Sequence, residues 1–572
     1  MRLEDYWGVG PKTSERLRET LGEEAAVDAI ESADVRALTD AGITRGRATR
    51  ILRRANDEAG MDTLATRDTR DVYDDLLELA SEYALTRHAA DRIRVLTPLS
   101  DPGAAESRLD DVDAARAAWT GLDDEGREAV VAAFEAYDAA EGSERAAVDA
   151  ALALREAGLD GTAFDALGAV DPDALREAAD ALSYVTAEGV AQGADERLDD
   201  LRARLADARN LENDAFDVLE RVRETGVRDL ADFRRAFADY VDRETRLSRS
   251  AIEEVAPEDA HDAADFVSTA LRALVDDLER RAADREREIE DDLRASVADA
   301  REDVDRILAA VDDVALDLSL ARFAAAHDLV RPALGGDCLA VEGARNPFLS
   351  DPDPVDYAVG DHDLSPPPGD RVTVLTGANS GGKTTLLETC CAVALLAAMG
   401  LPVPADRAAV GSFGAIVFHR RHASFNAGVL ESTLKSIVPP LTDDGRTLML
   451  VDEFEAITEP GRAADLLNGL VDLTVDRGAL GVYVTHLADD LSPLPDTARI
   501  DGIFAQGLTA DLDLRVDYQP RFGTVGKSTP EFIVSRLVAN AGGRRERQGF
   551  ERLAAAVGEE AVQRTLADAW EE

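Results

Sequence analysis

VTVLTGANSGGKTTLLET, residues 372–389, decides the fold of the region around it. A β-branched apolar run opens it and an apolar helical run closes it. Between them Gly377-Ala378-Asn379-Ser380-Gly381-Gly382-Lys383-Thr384 satisfies G-x-x-x-x-G-K-[ST]. A glycine-rich turn of this kind aims backbone N–H groups and a helix N-terminus at phosphates. Lys383 is then the partner of the β/γ oxygens, and Thr384 reaches Mg²⁺. The expected ligand is ATP with Mg²⁺, contacted by Gly377 to Thr384 and by Thr385, the next residue of the helix.

Working outward, RVTVLTG (371–377), TLMLVDE (447–453) and GVYVTHL (481–487) are short β-rich runs separated by helical stretches. That alternation predicts a parallel sheet flanked by helices. In LMLVDEFEAITEPG, four apolar residues place Asp452 at a strand's C-terminal edge, where it can hold Mg²⁺ through water. The adjoining Glu453 is placed to polarise an attacking water. Val484-Thr485-His486 ends another strand and puts His486 near the γ-phosphate. The catalytic set expected from this pattern is Lys383, Glu453 and His486, with Thr384 and Asp452 as metal ligands.

Composition bounds the rest. At 572 residues and 45% hydrophobic, the chain has room for about three to five domains of ordinary size. Its 63 basic and 115 acidic residues give a net charge of −52, and Lys12, Lys383, Lys435 and Lys527 are the only lysines. Arg and Asp favoured over Lys on an acidic surface point to a halophilic, archaeal cytoplasm, where screening lengths are short and self-repulsion is tolerated. In such a proteome total charge discriminates poorly against nucleic-acid binding; local arginine clusters matter more. Three cysteines, two of them adjacent (Cys390, Cys391), supply no disulfide framework and no metal-ligand spacing. No apolar run reaches the length of a membrane span, and MRLEDYWGVG lacks a signal peptide's apolar core. The expectation is a cytoplasmic protein with no membrane partner.

Residues 1–60 contain two similar units, YWGVGPKTSERLRETLG and LTDAGITRGRATRILRRAN. Each places a glycine turn before an apolar helical stripe, which leaves N–H groups uncovered for a phosphate. They resemble a tandem helix-hairpin-helix module that grips the DNA backbone, with Gly8, Gly10, Lys12, Gly42, Arg45 and Arg47 as expected contacts. Residues 61–330 read as nearly all helical. Within them, residues 273–313 run for about eleven turns without Pro or Gly, and the apolar stripe thins at ERRAADRERE (279–288). A long helix with little to bury in its middle predicts a coiled-coil arm over about 270–313, its arginines on a solvated charged face.

The spacing from P-loop to Asp-Glu to His resembles that of ABC-type ATPases, and further segments resemble the MutS family. AAMGLPVPADRAAVGSFGAIVFHR (397–420) is similar to the segment after that family's P-loop, and Arg345-Asn346-Pro347 stands where an Arg-His-Pro is usual. DEFEAITEPGRAADLL and THLADDL are similar to blocks of the second bacterial MutS type, and residues 71–101 to the start of its helical core. The resemblance implies an α/β P-loop (ABC-type) ATPase domain over 331–545, preceded by a largely α-helical lever/coiled-coil region over 61–330 and the small α-helical hairpin domain of 1–60. A short helical tail (546–572) follows. It further implies a homodimer joined through the ATPase domains, and Tyr357 stacked on the adenine. Several positions depart from the family pattern. Glu455 and Ile457 replace loop glycines, the signature segment is reduced to SFNAGVLEST (424–433) with Ser424 or Asn426 facing the opposing subunit, and the Phe-x-Glu of mismatch readers is absent from the sequence. The resulting expectation is an ATP-driven clamp on branched or structurally aberrant DNA, in repair or recombination. The alternatives are an SMC-like chromosome-structuring ATPase and a nucleotide-gated DNA-binding scaffold with little hydrolysis.

Overall fold

The computed structural model describes residues 2–571 except 160–163, 187–188, 258, 378–380, 422–426, 444, 454–459, 492, 510 and 527–529. Its contacts divide the chain into two compact units, Met1–Val131 with Asp312–Glu572 and Ala132–Val311. Among the described residues no helix is long and apolar enough to cross a membrane.

The first unit is built on two sheets. Its strands in chain order are β1 (Ala333–Leu334), β2 (Asp337–Ala344), β3 (Val355–Asp361), β4 (Val372–Gly377), β5 (Arg407–Val410), β6 (Ala415–His419), β7 (Thr447–Asp452), β8 (Leu480–Val484), β9 (Ala498–Leu508) and β10 (Leu514–Arg521). Six of them form a sheet in the order β10-β9-β4-β8-β7-β6, and the other four form a sheet in the order β1-β5-β2-β3. Strands β9 to β6 run parallel and β10 returns antiparallel at one edge. β4, β7 and β8 are buried along their whole length, as near-continuous Val/Leu runs require when helices cover both faces. The helix Lys383–Ala398 is apolar all round and lies in the largest core cluster, with Cys390 and Cys391 among its buried residues.

The other sheet edge, β6, is covered from the N-terminal part of the chain. Thr69 Oγ1 donates to the Ile416 carbonyl at 3.0 Å and accepts from the Phe418 N–H at 2.9 Å, beneath helix Arg67–Ser81. An edge whose N–H and C=O groups are satisfied in this way cannot recruit a foreign strand.

Upstream, helices Pro11–Thr20 and Arg45–Asn56 follow turns in which Gly8 and Gly42 have φ of +78° and +80°. That backbone region costs a Cβ-bearing residue dearly. The hairpins brace each other reciprocally. Arg16 donates to the Gly42 carbonyl at 2.9 Å, and Arg47 donates to the Gly8 carbonyl at 3.0 Å. Leu17, Ile43, Ala48 and Ile51 close a common core beneath them.

The second unit corrects the single uninterrupted helix expected over 273–313. Helix Ala263–Asp299 ends at Ala300, and a new helix begins at Arg301. The first of these, within the stretch expected as a coiled-coil arm, packs along neighbouring helices. Phe233 and Phe237 of helix Leu230–Glu244 pack edge-on against Phe266, and Leu271, Leu274 and Leu278 continue the cluster. Neighbouring helices supply the apolar partners that the charged middle of the sequence hides. Arg285 pairs with Asp195 at 2.7 Å and Arg287 with Asp284 at 2.6 Å, so that stretch is an ion-paired face.

Candidate functional site

β4 runs into the phosphate loop through Gly377, whose φ is +134°. A Cβ there would stand 2.1 Å from the Ile503 carbonyl oxygen, so only glycine fits. Gly382, at φ +77°, is the N-cap of the helix that begins with Lys383. Its missing Cβ makes room for the ring of Tyr518, which such an atom would meet at 2.8 Å. Between these two glycines, Ala378, Asn379 and Ser380 lie outside the described residues, as do Ser424, Asn426, Glu455 and Ile457.

Lys383 is 5% exposed, and its Nζ donates to the Gly377 carbonyl at 3.2 Å, folded back over its own loop. Thr384 Oγ1 donates to Asp452 Oδ2 at 2.6 Å, bringing together two residues 68 apart in sequence. Asp452 ends β7 and is buried. A hydroxyl and a carboxylate are hard oxygen donors, and Mg²⁺ takes one or two such groups while completing its shell with water and phosphate. The pair therefore fits that ion.

Glu453 follows Asp452 with φ +43°, a left-handed backbone in a non-glycine residue. Its N–H donates to the Val484 carbonyl at 3.0 Å, which pins it to the end of β8. His486, two residues past that strand, reaches Glu453 Oε1 through Nε2 at 3.0 Å. Arg421 takes the other oxygen, with Nη1 to Oε2 at 2.6 Å. The His486 hydrogen bond holds the Glu453 carboxyl below the usual glutamate range; burial opposes this, while the His486, Arg421 and Lys383 charges reinforce it.

A cavity of about 770 Å³ opens over these groups, lined by Gly381, Lys383, Thr385, Asp452, Glu453 and Tyr518 among others. Parallel pairing of β4, β8 and β7 aligns Leu375, Val484 and Asp452 in adjacent registers. Three loops distant in sequence therefore open at one sheet edge, the usual ligand position in such sheets.

Tyr357 is not brought to this cavity. It is 2% exposed in the core, and its hydroxyl shares a 2.7 Å hydrogen bond with Thr373 Oγ1. Its position on β3, facing the P-loop strand, leaves no ring face open to a base. Tyr518 of β10 and Val355 line the cavity instead, and Tyr518 is 39% exposed. Periodicity could not find Tyr518, because it reaches the site only through the antiparallel return of β10 beside β9. Arg421 was equally hidden, and no motif spans it. The segment after β10 also supports the loop: Gly526 donates its N–H to Thr376 Oγ1 at 2.7 Å.

In the hairpin module the expected contacts divide. Gly8, Gly10, Lys12 and Gly42 are exposed at the turns. Arg45 and Arg47 are exposed as well, Arg45 ion-paired with Asp91 and Arg47 donating to the Gly8 carbonyl and to Thr13 Oγ1, the latter at 2.7 Å. These two arginines hold the module together and to the rest of the unit.

No protein-family profile matches the chain. It is 43% identical over 220 residues to the DNA-binding protein MutS2 of Pyrococcus furiosus, covering 38% of this chain and 39% of that protein. It is 32% identical over 338 residues to a DNA mismatch repair protein MutS 2 of Halobacterium salinarum, covering 54% and 37%. It is 32% identical over 282 residues to an Endonuclease MutS2 of Shouchella clausii, covering 47% and 34%. The chain thus spans less than two fifths of the length of these relatives. Over the matched segments the chain is similar to MutS2 and MutS proteins.

Proposed function

We propose that the chain is a DNA-binding ATPase of repair or recombination, a dimeric clamp on branched or aberrant duplexes whose grip is set by ATP hydrolysis. The observation that carries this reading is the convergence of Lys383, the Thr384–Asp452 pair and the Glu453–His486 pair on one cavity. The names of the relatives, DNA-binding protein and mismatch repair protein among them, support DNA as the partner.

The residues divide the work as follows. Amides at the start of helix Lys383–Ala398 and the Lys383 ammonium bind the phosphates. Thr384 and Asp452 would hold Mg²⁺, which when bound neutralises charge on the β- and γ-oxygens. Glu453 orients and polarises the attacking water, whose oxygen bonds to the γ-phosphorus as the bond to the β–γ bridging oxygen breaks. Both Glu453 oxygens are engaged, by His486 and Arg421. A γ-phosphate entering beside them competes for Arg421 and frees one carboxylate oxygen for water, so that turnover waits on a complete triphosphate. Binding energy at this site would then be coupled to closure on DNA.

The test is ATP turnover of the purified chain in multimolar KCl, alone and with duplex, mismatched and four-way-junction DNA. Junction DNA is expected to stimulate turnover. Lys383→Ala should abolish it, and Glu453→Gln should keep nucleotide binding while slowing hydrolysis by about 10²-fold or more. Nucleotide binding with no turnover in the unaltered chain would instead support a nucleotide-gated scaffold, and absence of any DNA response would sink the clamp.

A further inference from the structure

Trp7 stands at the entrance to the first hairpin turn, next to Gly8, and is 48% exposed. The module's other aromatic ring, Tyr6, is buried. Beside Trp7 lies a cavity of about 580 Å³ lined by Arg50, Arg53, Arg54 and Arg70, with Asp62 and Asp74 as its acids. Arg53 and Arg54 are spoken for by those acids, each at 2.8 Å. Arg50 donates to the Gly46 carbonyl at 3.0 Å and Arg70 to the Leu64 and Ala65 carbonyls at 3.2 and 3.3 Å, so carbonyl oxygens satisfy their geometry without cancelling their charge. The Arg54 guanidinium sits 5.8 Å from the Trp7 ring centroid, against one side of the indole.

We infer that Trp7 and the Arg50/Arg70 cavity form a binding site for an unstacked nucleotide, the base lying on the indole and its phosphates facing the two arginines. The inference rests on the reading of the chain as DNA-binding and gives that reading a substrate class: DNA with an unpaired or extruded base. Three features carry it. An exposed indole rimmed by guanidinium groups is the pairing that single-strand binders use, an aromatic stacking surface beside positive charge. The site adjoins a turn whose exposed Gly8 and Gly10 suit close approach of a phosphate backbone. Stacking is also an apolar contact that salt does not screen, which suits a chain carrying −52 in concentrated salt, where phosphate contacts lose counterion-release advantage.

The experiment measures affinity of the full chain, in molar KCl, for single-stranded oligothymidylate, a duplex with a one-nucleotide bulge, and the same duplex fully paired. Trp7→Ala is expected to weaken binding to the first two by about tenfold and to leave the paired duplex unchanged. Trp7→Phe should restore most of the loss, and Arg50→Glu with Arg70→Glu should mimic Trp7→Ala. Quenching of tryptophan fluorescence by oligothymidylate should disappear in Trp7→Phe, although Trp119 and Trp570 remain. Equal weakening on all three DNAs, or persistent quenching in Trp7→Phe, overturns the site while the DNA-binding reading stands. Failure of the unaltered chain to bind any of the three overturns both.

Discussion

Tyr518 and Tyr357 show how much a single residue's meaning depends on where its ring faces. Both are tyrosines on strands beside the P-loop. One hydrogen-bonds Thr373 inside the core, and the other leans on Gly382 at the cavity. Tyr518→Ala is therefore expected to weaken ATP binding by about tenfold, the order of one lost aromatic contact. Tyr357→Phe should leave nucleotide affinity unchanged and cost about 1 kcal/mol of stability for its buried hydrogen bond. Equilibrium binding of a fluorescent ATP analogue and a thermal melt on each variant check both. Gly377, Gly382 and Lys383, by contrast, were assigned to phosphate binding from spacing alone, because that chemistry permits few residue types at those positions.

Among the elements, helix Arg301–Ala326 carries a group that the function does not use. Asp317 is held against Leu316 and Leu320 of its own helix, with Arg108 and Asp111 on the facing helix Pro102–Gly121 and Arg92 nearby. Burial pushes its carboxyl up to about 7; Asp111 and Asp313 add to the rise, and Arg92 and Arg108 oppose it. Because the folded value lies above the unfolded one, the fold favours the protonated form. The contribution of Asp317 to stability is therefore most favourable below pH 4 and falls as pH climbs toward 7, after which the penalty is constant. Asp317→Asn removes that penalty. The variant should be more stable than the unaltered chain at pH 8 by on the order of 2 kcal/mol, seen as a higher melting temperature, with the gap closing as pH falls toward 4. Melts across that range at fixed salt measure it. Helix identities were readable from apolar spacing, but the break at Ala300 was not. REDVDRIL contains neither Gly nor Pro, so the local sequence carries no helix-stop signal.

On the scale of the whole molecule, the acidic surface ties folding to salt. Many ion pairs among the described residues join exposed side chains, such as Lys435–Glu431 and Arg462–Asp465, and contribute little each. A net −52 therefore leaves repulsion that only counterions relieve. Dilution from molar KCl to about 0.1 M lengthens the screening distance to about 10 Å. The melting temperature should fall steeply on that dilution, and far-UV circular dichroism at graded KCl tests it. A melt that is insensitive to salt would remove the halophilic interpretation and, with it, the reason for expecting stacking to outweigh phosphate contacts in DNA binding.

What the sequence determined by itself was the phosphate-binding loop, the parallel strands and the Asp452, Glu453 and His486 positions, because strand ends and glycine turns constrain residue types within a few positions of one another. Only the tertiary structure decided which rings face the cavity, that Arg421 holds Glu453, that Arg47 donates to the Gly8 carbonyl, and that Trp7 lines one cavity with Arg50 and Arg70. Those are contacts between segments tens to hundreds of residues apart. They depend on strand order and helix packing, and no local periodicity encodes them.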